Sequence, residues 1–155
     1  MTGKRLLTAL AMGIAVLALA ACSSPDLGTP AGVVEEFFNR LDDEDQNGVR
    51  ALLCPDFRQN VNLNMGEDRE VDYSFDLRFD APDEVDAAAV DVAVFGKMEM
   101  HLRLDDVRYE VQERRTDNAP WTVRVARIGG EWQVCGADPQ VLALLDARGA
   151  LDALE

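Results

Sequence analysis

Basic residues are in short supply: 15 Lys and Arg stand against 29 Asp and Glu, a formal net charge of −14, and Lys4 and Lys97 are the only lysines. A phosphate backbone is held by clustered basic side chains, so nucleic acid is excluded as a partner class. Anionic lipid headgroups repel such a surface as well. Histidine is scarcer still, His101 being the sole copy. A histidine metal cluster and any two-histidine mechanism are therefore excluded, and neither a metal nor a cofactor is expected. Glycine-rich phosphate loops, serine or cysteine nucleophile motifs, internal repeats and low-complexity tracts are missing too.

What is present begins with the leader. Lys4 and Arg5 precede an apolar run from Leu6 to Ala20, which ends in Leu19-Ala20-Ala21-Cys22. A basic start, a short apolar stretch and small residues before a cut make a secretory signal peptide. The run is short for a bilayer span of about 20 residues, and polar Ser23 to Thr29 follow at once. Cysteine directly after the small residues resembles the processing site of bacterial lipoproteins, in which that thiol carries a diacylglycerol. The resemblance implies lipidation at Cys22, a signal peptide over 1–21, a tether over 22–29 and one domain over 30–155. It places the protein outside the cytoplasm on the outer face of the cell membrane, with the membrane itself as first partner. Two acyl chains on one residue anchor far better than one.

With Cys22 assigned to lipid, Cys54 and Cys135 form an even pair in an oxidising compartment, which favours a disulfide between them. Closing a loop of about 80 residues is worth about 4.5 kcal/mol in the chain-entropy model.

Along the chain the hydrophobic period changes from helical to two and, near the end, back again. Thr29-Pro30 is a helix start, followed by Val34, Phe37, Phe38 and Leu41 on one stripe. Val49, Leu52 and Leu53 mark a shorter helix stopped by Pro55, and 57–68 read as loop. From Val71 the period is two: Val71, Tyr73, Phe75, Leu77 and Phe79 alternate with polar residues. Pro82-Asp83 turns the chain. Val90, Val92, Val94, Met98, Met100, Leu102 and Leu104 keep one parity across Gly96, so a single long strand bent at that glycine is expected instead of a hairpin. Asp105-Asp106 is the next turn, and it pairs Leu104 with Val107, Leu102 with Tyr109 and Met100 with Val111. After a loop over Thr116 to Pro120, Trp121, Val123 and Val125 meet Trp132 and Val134 through a Gly129-Gly130 hairpin. Asp138-Pro139 caps a last helix bearing Val141, Leu144 and Leu145, weakened at Gly149. Helices followed by a meander of one-sided strands give an α+β class, with helices covering the apolar face of an antiparallel sheet.

Several segments, taken in order, carry a resemblance: Pro30-Ala31 with Val34, Phe37 and Phe38; Ala51-Leu52-Leu53-Cys54-Pro55; Trp121-Thr122-Val123; and Gly130-Glu131-Trp132-Gln133-Val134-Cys135. Together with the lipidation site they resemble small exported actinobacterial lipoproteins with the cystatin-like fold shared by nuclear transport factor 2 and ketosteroid isomerase. The resemblance implies a curved sheet wrapped around helices, often as a cone with a cavity, and a cysteine of the second helix bridged to the last strand. It implies no common activity. Strand parity conflicts with that bridge, since Cys135 alternates with Trp132 and Val134 and so points away from the helices.

Candidate chemistry is sparse. Asp43, Asp45, Asn47 and Gly48 match the opening of a calcium loop, but position twelve, where a bidentate glutamate belongs, is Cys54. A solvated loop in which Asp45 or Asn47 caps the second helix is the better reading. His101 falls between Glu99 and Arg103 on the wet face. Tyr73 and Tyr109 could donate to an oxyanion, yet no carboxylate interrupts the apolar pattern of the central strands to serve as base. Tyr73, Phe75, Met98, Met100, Tyr109, Trp121 and Trp132 share the covered face, as core or as the lining of a ligand cavity. The expected function is therefore non-enzymatic binding in the cell envelope, to a protein, a small ligand or a second copy as a homodimer. The alternatives are a carrier or sensor of an apolar molecule in the cone and an isomerase- or dehydratase-like enzyme.

Overall fold

A computed structural model of the chain describes residues 24–63, 71–82, 87–104, 107–115 and 119–146, and of residues 71, 102–104 and 107–115 the backbone only. The leader, Cys22 and the turns expected at Pro82-Asp83 and Asp105-Asp106 fall wholly or partly outside these residues, as does Gly149.

Helix α1 spans Pro30–Asp42 and starts as its sequence requires, the Thr29 hydroxyl accepting from the Gly32 N–H at 3.1 Å. Its stripe of Val33, Val34, Phe37, Phe38 and Leu41 is fully buried, worth roughly 1.5–3 kcal/mol for each large side chain. Glu44, at φ 55°, reverses the chain into α2, Gln46–Leu52. Pro55 then does more than end that helix. It occupies the first turn of α3, Pro55–Asn60, so the loop expected over 57–68 begins instead as a short helix. Phe57 supplies too little period to reveal it, whereas a proline at N1 is the usual start signal.

Five strands follow, all pairing antiparallel: β1 Val71–Asp80, β2 Ala89–Leu104, β3 Val107–Arg115, β4 Trp121–Ile128 and β5 Glu131–Ala137. Helices ahead of an open antiparallel sheet make the fold α+β. The sheet runs β1-β2-β4-β5, with β3 also on β2. Strand β2 is a single strand of 16 residues. One of its edges carries β1; the other is divided, β4 pairing with 89–94 and β3 with 97–104. Gly96 lies at the division, with φ 126°, a conformation that side chains rarely adopt. A Cβ there would stand 2.1 Å from the Asp76 carbonyl oxygen.

Leu104 pairs with Val107 and Leu102 with Tyr109 as expected, but Met100 faces Gln112 and not Val111. A bulge between Met100 and His101 inserts one β3 residue, which a pattern-based register cannot foresee. Helix α4 spans Pro139–Leu145, ending well short of Gly149. Asp138 sits at its N-cap position but makes no side-chain cap there; its carboxylate accepts from the Thr122 N–H at 2.7 Å, tying α4 to β4.

Gly96→Ala should destabilise the fold by about 2–4 kcal/mol through the combined clash and backbone strain. Equilibrium urea unfolding measures this, and a loss below about 0.5 kcal/mol would show that the bend does not need glycine.

Candidate functional site

The residues expected to line a cavity are packed together. Tyr73, Met98, Met100, Trp121 and Trp132 are all buried in the core cluster, with Phe75 against it. Phe38 of α1 stands edge-on to Phe75 at 5.3 Å between centroids and stacks with Phe79 at 5.7 Å. The helix thus fills the face that the strands curve around. Tyr73 donates its hydroxyl to the Leu144 carbonyl at 2.7 Å, and burial, followed by the charges of Glu44 and Asp146, pushes its pKa above the ordinary phenol value. That phenol is committed to holding α4. The side chain of Tyr109 lies outside the described residues.

Cys54 and Cys135 come together, and the parity conflict has a simple solution. Leu53 forms a parallel bridge with Val134, and the Cys54 N–H donates to the Val134 carbonyl at 2.9 Å, so 53–54 join the sheet as a fragment of edge strand. Leu53 shares the core face with Val134, and the next residue on each strand, Cys54 and Cys135, shares the opposite face. The cysteine expected on the helix side is therefore on the far side of the sheet with its partner. Both are free thiols, and the Cys135 thiol donates to the Gln133 carbonyl at 3.6 Å. Burial first, and the Cys54 neighbour second, push the Cys135 thiol up to about 12.

The acidic loop is used structurally. Asp45 accepts from the Gly48 N–H at 2.8 Å, capping α2, while its other oxygen accepts from Arg40 at 2.7 Å. The Gly48 bond, then Arg40, hold its carboxyl below the usual range. No group of His, Cys, Asp or Glu suited to a metal occurs among the described residues. His101 is a correction: its side chain is 12% exposed and so is not solvent-facing, because β2 is flanked there by both β1 and β3. Its Nε2 lies 3.8 Å from Glu99, which also pairs with Lys97.

Two surface hollows have described walls. One, of about 320 Å³, is shallow and lies over Cys135, Thr122 and Gly136, where Arg124 and Asp91 already pair through two bonds of 2.8 and 3.0 Å. The other is a deeper cleft of about 390 Å³ between the turn before α1, the end of α2 and the start of β5. Leu27, Val33, Ala51 and Leu52 form its apolar wall, and Glu131, Trp132 and Gln133 close it. Trp132 thus belongs to both core and cleft. The rest of the wall escaped the sequence reading, because it is assembled from three segments that share no motif.

The turn before α1 is itself built. Asp26 accepts from the Gly28 N–H at 2.9 Å through its side chain, and its carbonyl takes the Thr29 N–H and hydroxyl at 3.0 and 2.9 Å. The tether expected over 22–29 is thus folded onto the domain from Asp26 onward. No protein-family model matches the chain, and no curated protein matches it.

With both thiols reduced, Cys135 should alkylate more than about a hundredfold more slowly than free cysteine at pH 8, since only the thiolate reacts. The rate should climb about tenfold per pH unit up to pH 11, below its raised pKa. Mass-resolved labelling measures both; a rate that levels off near pH 9 would contradict the burial of that thiol.

Proposed function

We propose that this chain is an exported lipoprotein, held on the outer face of the cell membrane by diacylglycerol on Cys22, whose body is a non-enzymatic binding domain of the cell envelope. The observation that carries the reading is Leu19-Ala20-Ala21-Cys22 at the end of a short apolar run, with a folded domain starting a few residues later at Asp26. The acidic balance leaves the lipid, and no basic patch, to hold the membrane.

We further read the fold as a cystatin-like cone of the kind shared by nuclear transport factor 2, in the exported actinobacterial form. A 16-residue strand bent at Gly96 and a helix seated on the concave face support this. Binding is favoured over catalysis inside the cone because its expected lining is core: Phe38 fills the space before Phe75, and the Tyr73 phenol is bound to Leu144. Among the described residues no Asp or Glu is buried on that face to act as a base. The Cys54–Cys135 pair belongs to the proposal as a disulfide in the oxidising envelope, fastening the 53–54 fragment to β5.

Cys22→Ala should move the protein from the membrane fraction to the soluble fraction and remove the acyl mass from the intact protein. Retention of the variant on washed membranes, or an unmodified mass for the mature wild-type chain, would overturn the anchor.

A further inference from the structure

The cleft beside β5 has features that plain packing leaves unexplained. Two of its wall residues hold buried polar atoms without a hydrogen-bond partner, Nε1 of Trp132 and Oε1 of Gln133. Trp132 is 5% exposed and its ring carries the Arg127 guanidinium at 4.8 Å, a donor group that cannot accept from the indole N–H. Leaving such a group unmatched is costly, and a ligand that matches it gains correspondingly.

The main chain of Trp132 adds two more groups. Strand N–H and C=O groups alternate between the two edges with period two. Val134 directs its carbonyl outward to Cys54, so Trp132, two residues earlier, faces the same outer edge. The cross-strand partner agrees: Arg127, opposite Trp132, donates its N–H to Ala88 and so points away from β5, which marks the Arg127–Trp132 pair as one that exchanges no ladder bonds. The 53–54 fragment covers the edge only at Val134, because the chain before it is already helix α2. At Trp132 the edge of the sheet opens on the cleft.

The main-chain N–H and carbonyl of Trp132 thus open on the cleft, while Trp132 Nε1 and Gln133 Oε1 lie unmatched behind its wall, closed to solvent. A peptide unit presents one donor and one acceptor, so the open main-chain pair matches one unit, and the two unmatched side-chain atoms, once uncovered by the ligand, match a second. The volume of about 390 Å³ suits a ligand of that size. The wall of Leu27, Val33, Ala51 and Leu52 suits small apolar side chains, and the Glu131 carboxylate, on a protein of net charge −14, disfavours an acidic ligand. Adding an extended segment to a sheet edge is an established way for domains to bind peptides.

We propose that this cleft binds a short extended peptide segment, neutral or basic, laid along the open edge of β5 at Trp132. The proposal rests on the reading of the chain as a binding domain and supplies the ligand class.

The full chain in detergent micelles, with ¹⁵N-labelled indoles, has two indole N–H resonances, from Trp121 and Trp132. Titration with N-acetyl-alanyl-leucinamide should shift the Trp132 resonance saturably and leave that of Trp121 in place. The same peptide with the Ala and Leu nitrogens methylated and a dimethylamide at its end, so that no amide N–H remains, should bind at least about fivefold more weakly, as should Gln133→Leu with the unmodified peptide. Trp132→Phe assigns the resonance, and the Gln133 variant keeps the test open if that one fails to fold. No shift up to about 10 mM peptide would overturn the proposal. Equal binding of the methylated peptide would do so too, showing an apolar hollow that does not recognise amides. Because the titration does not depend on where the protein resides, its failure leaves the anchor standing, and release of wild type from membranes leaves the cleft standing.

Discussion

The bend in β2 is the constraint from which the rest of the molecule follows. A flat strand of 16 residues offers each edge to a single neighbour, but at Gly96 the strand turns, and its second edge is divided between β4 and β3. The turn curls the apolar face into a hollow. Into it α1 places Phe37 and Phe38, and Phe38 meets Phe75 and Phe79 of β1, which stand opposite Met98 and Val94 on either side of the bend. Once the hollow is occupied the ends must be closed, and α4 does so through the Tyr73–Leu144 bond and the Asp138–Thr122 bond. Since hydrophobic burial is the main driving term and α1 covers the sheet with the stripe it does not share with α2, sheet curvature and helix placement are one decision.

Much of this was legible before any coordinates. Unbroken parity across Gly96 gives one bent strand, Thr29-Pro30 gives a helix start, and Gly129-Gly130 gives a hairpin, each through a local physical rule. The misses share a different cause, since they depend on contacts distant in sequence. The bulge opposite Met100 depends on how β3 accommodates the bend. The Asp138 carboxylate prefers the Thr122 N–H over its own helix because β4 passes nearby. Cys135 points away from the helix side where Cys54 is expected, and the conflict arises because Leu53 and Cys54 carry no strand signature, although Leu53 pairs with Val134 of β5. His101 was read as wet from parity alone, which ignores that strands on both sides shield a polar row.

The same filling of the hollow moves attention to the edge of the sheet. Where helix α1 covers the apolar face of the sheet, the chemistry available to a partner lies where secondary structure ends: the turn folded by Asp26, the last turn of α2 and the first residues of β5. One of those pieces, the Asp26 turn, follows the proposed anchor at Cys22 by four residues, so a peptide-binding edge beside it would work close to the membrane. The thiol pair is adjacent to the same edge on the opposite face, where a covalent link would fix the 53–54 fragment and with it one end of the cleft.

Contact between the first helix and the concave face is the point on which the whole arrangement rests, and nuclear Overhauser spectroscopy on aromatic-labelled protein tests it directly. Cross-peaks from the Phe38 ring to the rings of both Phe75 and Phe79 are expected, given centroid separations of 5.3 and 5.7 Å. A folded protein in which Phe38 shows neither would mean that the helix lies elsewhere and that the hollow is open.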